Sequence, residues 1–126
     1  MLEVEVIGGA LPPARVEELC AAALAAAGVE DGHVAVEFVD ARRIAELNAT
    51  HRGRPGPTDV LSFPIDELGA AHGPRELGDV VICPEHTTDL EEAVVHGALH
   101  LAGLDHESDE GEMLVLQDDL MGRLRA

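Results

Sequence analysis

The chain contains no tryptophan, no tyrosine and no lysine, and Phe38 and Phe63 are its only aromatic residues besides histidine. With so few rings, stacking of unpaired bases along a row of aromatic side chains is hardly available. The lack of lysine leaves eight arginines against 25 acidic residues, a formal charge of −17, which ordinarily argues against a polyanionic partner. Five of the arginines, Arg42, Arg43, Arg52, Arg54 and Arg75, nevertheless fall in one third of the sequence, so a local basic surface can survive there. Nowhere do about 18 apolar residues run together, and the start Met1-Leu2-Glu3-Val4-Glu5-Val6 lacks the basic and apolar segments of a secretion signal. A soluble, cytoplasmic protein with no membrane partner is expected. Cys20 and Cys83 read as small buried hydrophobes in a reducing compartment, with Cys83 a lesser candidate for a metal ligand.

Against these absences stands one dense run, His96-Gly97-Ala98-Leu99-His100-Leu101-Ala102-Gly103-Leu104-Asp105-His106. Taken singly, each histidine would be an ordinary surface or core residue. Residues four apart on a helix share a face, so His96 and His100 project toward one point. Gly103 can adopt the left-handed conformation that ends a helix and lets the chain bring His106 back to the same point. Three imidazoles with a fourth position open are the arrangement of catalytic rather than structural zinc, and one zinc ion on His96, His100 and His106 is expected. The spacing is that of the elongated zincin motif, except that Gly97 stands where the metalloproteases carry glutamate. That glutamate is their general base, so peptidase chemistry is strongly disfavoured while the metal geometry survives.

The length suits one domain, residues 1–126, large enough to remove roughly two thirds of its extended surface from water. Alternation predicts strands over Leu2 to Ile7 and His33 to Val39, with a helix between them that enters at Pro12-Pro13 and stops at Gly28. Asp40 can cap a helix running to about Asn48, and Thr50 to Thr58, with its prolines and glycines, reads as a loop. A third strand at Val60 to Phe63, broken by Pro64, is followed by a polar excursion and a short apolar strand, Asp79 to Cys83. Thr88 with Glu91 has capping-box spacing for the histidine helix, as has Asp109 with Glu112 for a last helix reaching about Arg123. Strands and helices interleave, so the fold class is α+β, an α/β-type single domain with a mixed sheet of about four strands.

Three further stretches accompany the histidines: Leu47-Asn48 followed by His51-Arg52-Gly53, then Thr58 to Pro64, then Leu77 to Cys83. Together the four resemble the YbeY family of bacterial endoribonucleases over most of the chain, from the second strand to the final helix. The resemblance implies a zinc-dependent endoribonuclease acting on single-stranded RNA in 16S rRNA 3′-end maturation and ribosome quality control. Its partners would be that RNA, the small ribosomal subunit and associated proteins, with no DNA expected. It makes His96, His100 and His106 the metal ligands and matches Arg52 to the family's arginine that faces the metal across the cleft. Three departures touch no proposed ligand: Leu104 stands where tyrosine is usual, Ala102 replaces a larger apolar residue, and Pro84 to Val95 is shorter than the family commonly has.

Cleavage of a phosphodiester needs a nucleophile and stabilisation of charge on the phosphoryl oxygens. A guanidinium, always protonated, meets phosphate with two parallel hydrogen bonds, which suits Arg52 to clamping the scissile group. The alternative for Arg52 is a loop charge paired with a nearby acid. For the proton acceptor the sequence leaves His51, Glu85 and His86 unranked, while Asp105 is either a partner of a ligand histidine or a turn residue. Two other functions fit the same residues. One is a non-catalytic ribosome-assembly factor with a structural zinc and a closed shell of protein ligands, contacting rRNA or a ribosomal protein through Arg42, Arg43, Arg52 and Arg54. The other is a metallohydrolase of another substrate, a peptide or a small phosphoester.

Overall fold

Alternating apolar residues give each strand two faces, and in the computed structural model, which describes residues 2–65 and 76–126, four strands share one sheet. They are β1 (Leu2–Ile7), β2 (Gly32–Phe38), β3 (Val60–Pro64) and β4 (Glu76–Ile82), arranged β1-β2-β4-β3. β1, β2 and β4 run parallel, with Val4 beside Val34 and Val36 beside Val80, and β3 lies antiparallel on the edge, with Ser62 beside Val80. The helices are α1 (Pro13–Ala26), α2 (Ala41–Arg52), α3 (Leu90–Leu101) and α4 (Glu112–Leu124), with a 3-10 turn at Pro84–His86. Arg75 lies outside the described residues.

On one face of the sheet, Val34, Val36, Val80 and Ile82 are closed off by Leu19 and Leu24 of α1 and by Val94 and Leu99 of α3, with Met113 and Leu120 of α4 joining the same core. The other face carries Leu61, Val81 and Cys83 under Ile44 of α2. Each of these aliphatic side chains stabilises the fold by about 1.5–3 kcal/mol through burial, so the layered α+β arrangement follows from period-two strands. α3 is buried along most of its circumference, and its partly exposed positions include His96 and His100. Cys83, seated in the cluster beneath α2, serves as core.

Five local expectations need correction. α2 does not end near Asn48: nothing in Thr50-His51-Arg52 breaks a helix, and the chain leaves it only at Gly53, which takes φ 65 while its N–H bonds the Asn48 carbonyl. Arg52 therefore ends a helix instead of riding in a loop. Pro64 belongs to β3, tolerated because an edge strand has one unpaired side. β4 starts earlier than read, at Glu76, and stops at Ile82, where the Cys83 N–H turns to the Asp59 carbonyl. Finally, the cap of α3 is Asp89, which accepts from the Glu92 N–H, and not Thr88. At α4 the capping position is Gly111, although the Asp109 carboxylate still accepts from the N–H groups of Gly111 and Met113.

Candidate metal centre

Gly97 decides how closely the histidine helix approaches the sheet. A Cβ placed there would stand 2.4 Å from Val80 Cγ1 and 3.3 Å from Ser62 Oγ, inside van der Waals contact. No side chain fits, so the glutamate of the zincin motif is excluded by packing as well as by sequence. Ser62 on the edge strand then donates its hydroxyl to the Gly97 carbonyl at 3.1 Å, fixing α3 to β3.

The C-terminus of α3 is a Schellman motif. Gly103, at φ 101, donates to the His100 carbonyl at 3.0 Å, and Leu104 donates to the Leu99 carbonyl at 3.1 Å. This reversal returns the chain toward the helix face it has just left. The rings of His96, His100 and His106 meet with centroids 4.7, 4.9 and 5.1 Å apart, and one nitrogen from each lies within 4.8 Å of the others. Three residues separated in the chain by a helical turn and a reversal thus face one point.

Two of the rings are held by hydrogen bonds. His100 Nδ1 lies 2.9 Å from the Leu104 carbonyl oxygen, which can only accept, so that nitrogen carries the proton and Nε2 keeps its lone pair. His96 Nδ1 lies 2.7 Å from Gln117 Oε1, giving the same polarity. His106 Nδ1 is buried and has no hydrogen-bond partner among the described residues. Unpartnered buried nitrogens are rare, and a metal site is one place that accounts for them. Burial foremost, then the proximity of His96, holds the His100 imidazolium below the usual histidine range, which favours the neutral form a metal requires. The donor set therefore fits a metal ion, and the described residues bring no fourth His, Cys, Asp or Glu into the group.

The histidines form one wall of an open cleft of about 740 Å³, whose other walls include Arg52, Arg54, Asp59 and Ser62. Among the described residues, neither Arg52 nor Arg54 forms an ion pair, and both line the cleft. The chain that leaves α2 after Arg52 is organised by Asn48, which is 5% exposed: its side-chain amide donates to the Gly56 carbonyl at 2.9 Å, and its own carbonyl receives the Gly53 and Arg54 N–H groups. A second cleft of about 580 Å³, which includes His86 and Gln117, shares Asp59, Val60 and His96 with the first.

The proton-acceptor candidates separate in space. The Glu85 carboxylate accepts from the Ala41 N–H at the start of α2, and His51 packs edge-on against Phe63 with centroids 4.9 Å apart. Asp105 is a turn residue: its carboxylate accepts from the Glu107 N–H and the Ser108 hydroxyl, which hold it below the usual carboxylate range. His86 lies in the neighbouring cleft. Sequence reasoning missed two supporting residues, Gln117 and the side chain of Asn48. Gln117 is polar at a position of the apolar stripe of α4, between Met113 and Leu120, and that anomaly was the available signal.

Comparison with known proteins agrees with this geometry. A family model described as Endoribonuclease YbeY matches residues 12–125. The chain is 42% identical over 130 residues to the Endoribonuclease YbeY of Rubrobacter xylanophilus, covering 96% of this chain and 92% of that one. With the Beutenbergia cavernae protein of the same name it shares 40% over 134 residues, covering 86% and 89%. Among solved structures, the solution structure of TM1509 from Thermotoga maritima superposes with a TM-score of 0.57 at 28% identity, over 98% of this chain and 89% of that one. On this likeness, spanning nearly its whole length, the chain belongs to the endoribonuclease YbeY family.

Proposed function

We propose that this endoribonuclease-family member is a single-domain, zinc-dependent enzyme that cuts single-stranded RNA, with His96, His100 and His106 as the ligands and Arg52 as the phosphate clamp. The observation that carries the reading is the convergence of three imidazoles, two of them oriented through Nδ1, in one cleft with an arginine that no described acid neutralises. All-nitrogen donors suit zinc better than magnesium or calcium, which prefer oxygen. A zinc ion held there would supply Lewis acidity, polarising a phosphoryl oxygen or lowering the pKa of a bound water to about 7.

The protein's own residues supply the rest. Arg52 can donate two parallel hydrogen bonds to a phosphate lying in the cleft, and Arg54 adds a second positive charge along the same wall. Close local cations matter more than net charge at short range, because surface charges beyond about 8 Å are largely screened at physiological salt. This explains how so acidic a chain can admit an RNA backbone. Within this reading the substrate is 16S rRNA near its 3′ end, and the protein works in the cytoplasm with the small ribosomal subunit. No helix among the described residues is long and apolar enough to cross a membrane.

The decisive experiment compares the parent with a folded His100→Ala variant on a single-stranded RNA, with and without chelator. Loss of zinc together with loss of cleavage is expected. Undiminished cleavage by the zinc-free variant would overturn the proposal. A structural zinc with a closed shell would need a fourth protein ligand, and the open cleft beside the histidines supports the catalytic reading instead.

A further inference from the structure

Gln117 is 6% exposed and, with Asn48, is one of two buried polar side chains among the described residues. It lies in the stripe of α4 that otherwise buries Met113, Leu120 and Met121, where an apolar side chain would avoid the cost of burying an amide. Its partner is His96 Nδ1 at 2.7 Å, 21 residues away in sequence. The second oriented histidine, His100, is likewise held by a neutral acceptor, the Leu104 carbonyl. Neither Nδ1 is bonded to a carboxylate, in a chain with 25 of them.

We infer that Gln117 is a positioning residue of the metal centre. Its amide oxygen holds His96 in the tautomer that carries the proton on Nδ1, so Nε2 keeps the lone pair that a metal ion would take. Its neutrality is the second part of its role. A carboxylate in its place would strengthen donation from His96 and add a negative charge beside the site, weakening its pull on a phosphate. The amide orients the ring without that cost, and it ties α4 to the activity although α4 gives no ligand. This inference rests on the metal reading above, and its test separates the two.

The first measurement uses the metal-free protein. Nitrogen-15 NMR of the histidine rings should show His96 protonated on Nδ1 in the parent and released from that preference in Gln117→Leu. Zinc affinity, measured by competition with a chromophoric chelator, should fall about 10- to 100-fold in Gln117→Leu. In Gln117→Glu it should match or exceed the parent, while RNA cleavage slows and the alkaline shift of its pH profile reports the added charge. Leu120→Ala, on the same buried stripe but offering His96 no hydrogen bond, should lower the melting temperature and leave zinc affinity unchanged. An unprotonated His96 Nδ1 in the parent, parental zinc affinity in Gln117→Leu, or equal loss in Leu120→Ala would each overturn the inference. Should the parent itself take up no zinc, the metal reading falls, whereas the ring tautomer still tests the Gln117–His96 pair by itself.

Discussion

A Cβ on Gly97 would stand 2.4 Å from Val80 Cγ1, so the helix bearing His96 and His100 lies against the sheet at a distance that only glycine permits. The closeness of α3 to β4, and with it of the two imidazoles to the sheet, is limited by this contact. Gly97→Ala should destabilise the fold by about 1–3 kcal/mol through overpacking, read as a lower urea midpoint. Gly97→Glu, which restores the zincin motif, should not accumulate as folded protein. A Gly97→Ala variant as stable as the parent would show that α3 is free to shift outward.

Arg52 and His100 should fail differently. Arg52→Ala removes a charge from the cleft wall without touching the histidines, so zinc content should persist while cleavage of single-stranded RNA drops. A clamp contributing about 2–4 kcal/mol corresponds to roughly 30- to 1,000-fold in rate. His100→Ala should lose both zinc and cleavage. Parental activity in Arg52→Ala would remove the guanidinium from the reaction.

Asn48 gives a cleaner test of the loop. Asn48→Asp is nearly isosteric, but an ionised carboxylate has no donor for the Gly56 carbonyl. It should cost about 1–3 kcal/mol of stability and raise the KM for RNA, with zinc binding intact. If KM stays at the parental value, the bond from Asn48 to Gly56 does not set the cleft wall.

Acid should loosen the far end of α3. Arg15 pairs with Glu91 through Nε and Nη2, and Arg125 reaches both Glu91 and Asp89, joining α1, α3 and the end of α4. Arg125 foremost holds the Asp89 carboxyl below its usual range, and Arg15 foremost does so for Glu91. Carboxylates depressed in the folded state stabilise it above their unfolded values of about 4, and that contribution disappears as pH falls through the depressed ones. The stability difference between the parent and Arg15→Ala should therefore be present near pH 7 and shrink toward about pH 3. Salt should reduce it as well, since these groups are partly exposed. A difference independent of pH would mean that Arg15 acts through packing alone.

Zinc affinity should fall below about pH 6, because an imidazole must be neutral to ligate. Burial holds the His100 ring below the usual histidine range, which favours its neutral, ligating form. Equilibrium dialysis across pH checks this, and a zinc content unchanged down to about pH 4 would contradict imidazole ligation.

Much of this was legible in the chain. Periodicity marked the strands and the major helices because their buried faces recur every two or about 3.6 residues. The histidine triad was legible because it is local: i and i+4 share a helix face, and a glycine three residues on can reverse the chain. Interactions that join distant segments were not legible. Nothing near residue 48 announces a bond to Gly56, and nothing near residue 117 announces His96. Asp105, next to a ligand candidate, fits two roles by its position in the chain, and only its bonds to Glu107 and Ser108 decide for the turn.

The amino-acid order alone determined which elements form, which residues can meet across one helical turn, and that a glutamate base is missing from the motif, since these depend on neighbours within a few positions. Tertiary packing decided the rest. It set Arg52 at the end of α2 in the histidine cleft, closed Gly97 to any side chain, sent Cys83 to the opposite layer and placed Gln117 against His96. Such contacts arise only when the sheet brings together segments that the chain keeps apart.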